Sequence, residues 1–320
     1  MTDPAALTLH AISDRDLDAW AGRWAAWAPE TARTPATLRE RRRTQQPHEW
    51  GERWSVQQAG EEVGLLELES PRTENQPGWV NLRVAAPALR HWPALLALGL
   101  ERARTLGASH VTVRSRENRP ELPAVQAAGF AEYDRMFTSR LDLQALDLAP
   151  FAPREAAVRA AGVRVLPVSE AAQALGGWPA EAAQRRLYTL IISRLLAVPG
   201  AVTIQPWPFE VWQERTGLQM DPAGVFVAVD PAGDWVGLSE LCLEPEPGVL
   251  LTGLTGVEPE WQGRGVALAL KVAALRSAQA RGYREVRTSN HARNAAMLGI
   301  NRALGFVPDP ATLLLSRELA

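Results

Sequence analysis

Apolar and polar positions alternate along this chain with two periods, and the switch between them marks out its elements. Leu7 to Ile12 alternates closely enough for a strand. Ser13-Asp14 then reads as a helix cap, and Trp20, Trp24 and Trp27 recur at spacings of four and three, so they share one helix face. A tryptophan stripe at that spacing predicts a core or domain interface. A second short helix is expected over Pro35 to Arg43. Strands follow at 53–58, 62–69 and 78–84, then a helix over 93–106 ended by Gly107, a strand at 109–113, a short helix and a strand near 135–143. The second half runs through the same order: a strand at 162–167, helices over 180–196 and around 210–214, and strands at 225–229, 235–243 and 249–257. A helix over 266–280, a strand at 285–288, a helix over 294–303 and a strand at 312–317 complete it.

The parallel order is a repeat. Val63-Gly64 and Val236-Gly237 each precede a glutamate at the same offset, Glu67 and Glu240. Leu106-Gly107 and Arg281-Gly282 end the long helices. Gly129-Phe130 and Gly305-Phe306 follow at nearly equal distances, and the pairs Ser139-Arg140 and Ser316-Arg317 close the two copies. Pro150 and Pro153 interrupt an Ala-rich segment between them. The expected division is a first domain over 1–146, a linker over 147–161 and a second domain over 162–320.

Composition narrows the class. The chain has 320 residues, 46% hydrophobic and 22% charged, with a net charge of −2, which gives no footprint for binding nucleic acid. No apolar run reaches the length of a membrane span, and Met1-Thr2-Asp3-Pro4 lacks the basic and apolar regions of a secretory signal. The single Cys242 excludes an internal disulfide framework and a cysteine metal cluster. A cytoplasmic protein is expected, monomeric or homodimeric, with a small-molecule partner, no nucleic acid, no membrane and no metal. Lys271 is the one lysine among 34 basic residues and is expected as a solvated helix position, ahead of a contact to a phosphate.

One stretch differs between the copies. From Thr255-Gly256-Val257 the chain passes through Glu258-Pro259-Glu260-Trp261 into Gln262-Gly263-Arg264-Gly265-Val266-Ala267-Leu268, which opens a helix. A strand, a glycine loop and a helix N-terminus bind anions, because first-turn N–H groups lack partners and the peptide dipoles point positive there. The first copy reads Pro87-Ala88-Leu89-Arg90-His91-Trp92-Pro93-Ala94 instead: it has no glycine and is three residues shorter to the helix end.

Gln262, Gly265 and Ala267 resemble the Q/R-x-x-G-x-G/A signature of the GNAT superfamily of N-acetyltransferases. The later pattern Asn290, Asn294, Met297, Asn301 and Leu304-Gly305-Phe306 is similar to that family's second block. The resemblance implies an α/β (α+β) chain of two tandem GNAT-like domains. Each is a mixed, mostly antiparallel sheet flanked by helices, with a V-shaped splay between central strands. It implies acetyl-CoA as co-substrate, its pantetheine along Thr255 to Val257 and its pyrophosphate on Gly263 to Leu268. Asn294 would contact the arm, while helix capping is an equal reading of that residue. Asn301 stands where many members carry a tyrosine acid, so it is expected near the cofactor, with no side chain acting as the acid. Glu240 is the candidate base, since a buried carboxyl has a raised pKa. Its repeat equivalent Glu67 argues as strongly for a structural role, and Glu244 and Glu258 remain open. The expected activity is N-acetyl transfer to a primary amine of a small molecule. A non-catalytic acyl-CoA-binding regulator is the alternative, favoured by the degenerate first copy, in which Arg119 replaces Asn294.

Overall fold

The alternating segments form strands in the computed structural model, which describes residues 7–73, 76–200, 203–217, 219–244 and 246–319. Met1 to Pro4, read above for a secretory signal, lie outside these residues. The described chain divides into two compact units.

The first unit holds β1 (Leu7–Ala11), α1 (Leu17–Trp27), α2 (Pro35–Arg43), β2 (Gly51–Gln58), β3 (Glu61–Glu69), β4 (Trp79–Ala85), α3 (Trp92–Thr105), β5 (His110–Arg116) and α4 (Leu122–Ala127). Strands β1 to β4 pair antiparallel in sequence order. Helix α3 crosses over so that β5 lies parallel to β4. Trp20 and Trp24 are buried against Leu38 and Leu65, so the tryptophan stripe is core. Each indole N–H finds an acceptor, Trp54 O at 3.2 Å and Thr31 Oγ1 at 3.0 Å.

The second unit holds most of β6 (Ala131–Asp142), then α5 (Ala152–Ala160), β7 (Arg164–Pro167), α6 (Val168–Ala171), α7 (Glu181–Leu196), α8 (Phe209–Trp212), β8 (Val225–Val229), β9 (Trp235–Leu243) and β10 (Val249–Val257). It continues with α9 (Val266–Ala280), β11 (Glu285–His291), α10 (Ala295–Ala303) and β12 (Val307–Pro308). Its sheet runs β6-β11-β10-β9-β8-β7, antiparallel except for β10 and β11. The helix expected over 210–214 is α8 followed by a π-helical turn, Gln213–Gly217.

The final strand, β13 (Thr312–Glu318), pairs antiparallel with β5 over its whole length, while β6 pairs with β11 from Met136 to Asp142. Each half of the sequence therefore gives its closing strand to the other unit. Residues up to Arg135 group with those from Pro310 onward, and Met136–Gly200 groups with Ile204–Asp309. This departs from the expected division into 1–146, 147–161 and 162–320. The cause is packing: Leu313, Leu315 and Leu319 fill the core around Leu66, Leu82 and Leu96, while Leu141 and Leu143 fill the one around Leu270 and Val286. An alternating strand pattern specifies a buried face without naming the sheet that buries it. The expected linker is also structured. Pro153 lies in the first turn of α5, where proline is tolerated, and Val158 packs into the second unit's core.

Candidate functional site

The parallel strands β10 and β11 pair only over Val249–Leu251 with Glu285–Arg287. Beyond that register they separate, and a cavity of about 250 Å³ opens between them. Thr252, Gly253, Leu254 and Thr255 form one wall and Ser289, Asn290 and His291 the other. Asn294, Met297, Leu195, Val198, Met136 and Lys271 complete the lining. The V-shaped splay is thus present.

At its far end β10 leads into the glycine loop. Gly263 and Gly265 adopt left-handed φ of 73° and 82°, a region open to glycine and strained for side-chain-bearing residues. Gly265 is the N-cap of α9 and no side chain caps the helix. Its first loop-to-helix hydrogen bond is donated by Ala269 to Gly265 O, so the N–H groups of Val266, Ala267 and Leu268 remain open. Nothing lies within 4 Å of a Cβ built on Gly263. Gln262 Nε2 donates to Val257 O at 3.0 Å and ties the loop to the strand, while Arg264 lies over the Trp261 ring. Thr255 pairs through its hydroxyl with Ser239, and Gly256 leaves space for the Arg194 side chain. Arg194 donates to Val257 O at 2.9 Å and pairs with Glu258 at 2.6 Å. Glu258 is thereby engaged as an ion-pair partner. The loop fits an anionic group held by main chain. The notch fits an extended polar arm, because Thr252 Oγ1 is buried there without a hydrogen-bond partner among the described residues.

Glu240 sits on β9 at a break in the β9–β10 register. Thr252 pairs with Leu241 and Thr255 with Ser239, which leaves Gly253 and Leu254 opposite Glu240. Its Oε2 accepts the Leu254 N–H at 2.9 Å. Burial pushes its carboxyl up to about 7, against the pull of that hydrogen bond. Glu240 is not among the residues lining the notch; Leu254, whose N–H it accepts, is. Glu67 is buried at the same repeat position but is met by Arg33, Arg53 and Arg83. The two glutamates share a register position and have opposite surroundings.

The asparagines divide by role. Asn294 caps α10, accepting the Met297 N–H at 3.2 Å, and also lines the notch. Asn301 does not reach the notch. It is buried behind it and donates to Asn290 Oδ1 at 2.7 Å, so Asn290 is the residue presented. Lys271, expected in solvent, is 3% exposed and faces the notch from α9, with the Phe306 ring 5.7 Å away. Burial lowers its pKa to about 8. Its burial was hidden because α9 is apolar nearly all round, so no polar face stands out. His291 and Arg194 were also missed, and only their distance from the loop in space would have identified them.

The first unit has the same splay. Strands β4 and β5 pair over Trp79–Asn81 with His110–Thr112, and a cavity of about 370 Å³ opens beyond. Arg33, Arg41, Arg72, Arg83, Arg114 and Arg119 line it. Trp92 is buried at the start of α3, with Pro93 in the first turn and no side-chain cap. Among the described residues no position from 87 to 94 is left-handed.

Among the described residues no helix is long and apolar enough to cross a membrane, and no group of His, Cys, Asp or Glu could hold a metal ion.

These two splayed sheets define the chain as a tandem protein of the GNAT fold, the fold of the GCN5-related N-acetyltransferases. It is similar over 99% of its length to a GCN5-related N-acetyltransferase from Sphaerobacter thermophilus, of which it covers 96%, with a TM-score of 0.66 and 19% identity. A tandem GNAT protein from the clavulanic acid biosynthesis pathway matches at a TM-score of 0.65 and 22% identity, with 98% of each chain covered. In sequence, 90 residues are 36% identical to the mycothiol acetyltransferase of Arthrobacter sp. (strain FB24). That match spans 27% of this chain and 28% of the relative. No family model matches the sequence.

Proposed function

We propose that the protein is an acyltransferase that moves an acetyl group from acetyl-CoA to a primary amine of a small molecule, by direct transfer at one site in the second unit. The observation that carries this reading is the uncapped start of α9. Two left-handed glycines and three open N–H groups stand at the end of a strand whose other edge is the splayed notch. The GNAT fold of the solved neighbours and the partial likeness to a mycothiol acetyltransferase support it.

Acetyl-CoA would supply the acyl group as a thioester. Gly263 to Leu268 would hold its pyrophosphate by main chain, and Thr252 to Thr255, Asn290 and Asn294 would flank its arm. The chain's own chemistry is then proton management. An amine is mostly protonated near neutrality and must lose a proton before it attacks. Glu240, half-ionised near pH 7, is suited to accept that proton through a water at the register break. The first unit lacks the main-chain cradle, and its notch holds the arginine–glutamate network, so we assign no acetyl-CoA to it.

The test is release of CoA from acetyl-CoA over a panel of primary amines. Acetylated product from at least one amine is expected. Tight acetyl-CoA binding with no product from any amine would favour the non-catalytic regulator.

A further inference from the structure

Lys271 is the chain's one lysine, and it is buried in the second turn of α9 with its side chain on the notch beside Thr252, Thr255 and Asn290. Among the described residues no carboxylate pairs with it and no acceptor takes its protons; its one ring contact is Phe306. A buried ammonium with no counter-ion is costly, and an anion bound against it relieves that cost. Arginine, used at the chain's other strongly basic positions, keeps its proton and could not donate one. A lysine can.

We infer that Lys271 is the proton donor to the sulfur that departs when the acyl group is transferred. This rests on the acyl-CoA reading above. The acceptor nitrogen bonds the carbonyl carbon, and the carbon–sulfur bond breaks with its electron pair passing to sulfur. A proton moves from Lys271 Nζ to that sulfur. Solvent returns a proton to Nζ, and the proton lost by the acceptor nitrogen goes to Glu240 or water.

The alternatives within reach are poorer acids or face elsewhere. The hydroxyls of Thr252, Thr255 and Ser289 ionise far above neutrality. His291 is half-exposed at the end of β11 and already engaged by a neighbour. Glu240 turns its carboxyl to the Leu254 N–H. Tyr188 donates to Trp207 O, and Tyr283 accepts from Arg281. The acidities also match. A cysteine thiol titrates at about 8.5, and burial alone lowers Lys271 to about 8. An acid with a pKa near the operating pH is the kind that donates protons efficiently.

Two measurements test this. The first is the ultraviolet thiolate titration of CoA bound to the wild-type protein and to Lys271→Met. Contact with the ammonium should lower the thiol's pKa in the wild type by about 1–3 units relative to the variant. Equal titration in the two proteins would overturn the proposal whether or not any amine is acetylated, and so would failure of the wild type to bind CoA. Thiol lowering without turnover of any amine would sustain the lysine–sulfur contact while defeating the acetyltransferase reading. The second is the pH dependence of kcat. The wild type should lose rate as Lys271 deprotonates on the alkaline side, whereas Lys271→Met and Lys271→Arg should be slow and lack that limb, with acetyl-CoA affinity within about threefold of wild type. A variant that keeps the alkaline limb would overturn the assignment.

Discussion

The Glu240 carboxylate accepts the backbone N–H of Leu254 at 2.9 Å across a break in the β9–β10 register. Its repeat counterpart Glu67 faces Arg83 in an unbroken stretch of the β3–β4 register and is held by three guanidinium groups. One position has thus become a buried lone carboxyl beside a splayed notch, and the other the hub of an ion-pair network.

Glu240→Gln should separate chemistry from binding. With the carboxyl at about 7, the wild-type rate should rise with pH through that value. The variant should lack this limb and turn over roughly 10²- to 10⁴-fold more slowly near neutrality, with acetyl-CoA affinity retained. Steady-state kinetics between about pH 5.5 and about 8.5 would check this. An unchanged profile would move the base elsewhere.

The same carboxyl makes a stability prediction. Its folded pKa is raised from 4.5, so the folded state binds more protons than the unfolded state between about 4.5 and 7. Stability should therefore fall as pH rises through that window, by up to on the order of 3 kcal/mol from this group. Urea denaturation of wild type and Glu240→Gln at about pH 5 and about pH 8 should give a smaller drop in the variant.

Lys271 acts with the opposite slope. Its folded pKa of about 8 lies below the ordinary 10.5, so the unfolded state binds more protons between these values and stability rises with pH across them. Below about pH 8 the buried ammonium costs the fold up to about 3 kcal/mol. Lys271→Met should therefore be more stable than wild type at about pH 7 while turning over more slowly, the trade expected of a strained functional group. Thermal unfolding checks the first half of that statement; a destabilised variant would contradict it.

The exchanged strands predict where damage spreads. Leu315 is 1% exposed in the first unit's core, and Leu315→Ala should cost about 2–5 kcal/mol. Hydrogen exchange should then rise over β5 at 110–116, its partner in that sheet, and stay protected over β11 at 285–291. The reverse pattern would contradict the exchange.

The strands around Glu240 and the helix from Val266 to Ala280 were legible because their apolar periods and glycine punctuation are local properties. The fold resemblance was legible because two motifs stood at the right distance on a repeated scaffold. What escaped was set by tertiary packing. Leu141 and Leu315 alternate alike, so nothing local assigns either strand to a sheet. Pro153 looks like a breaker and is a first-turn proline. Lys271 on an Ala/Leu-rich helix looks solvated until the notch is seen above it. Asn301 matched a motif position, yet its side chain supports Asn290 from behind the notch. The value of Glu240 as a base could not be separated from that of Glu67 until Arg33, Arg53 and Arg83 were found on one and not the other.

One acetyl-CoA is expected to bind each chain, on the main chain of Gly263 to Leu268. Isothermal titration of the wild type and of Gly265→Val tests it most directly. At φ of 82° with open N–H groups beyond, a valine both strains the backbone and blocks the cradle. The wild type should show one site per chain and the variant at least about 100-fold weaker binding, roughly 3 kcal/mol, with the fold intact by circular dichroism. Unchanged affinity in Gly265→Val, or a second site of equal strength in the wild type, would contradict it.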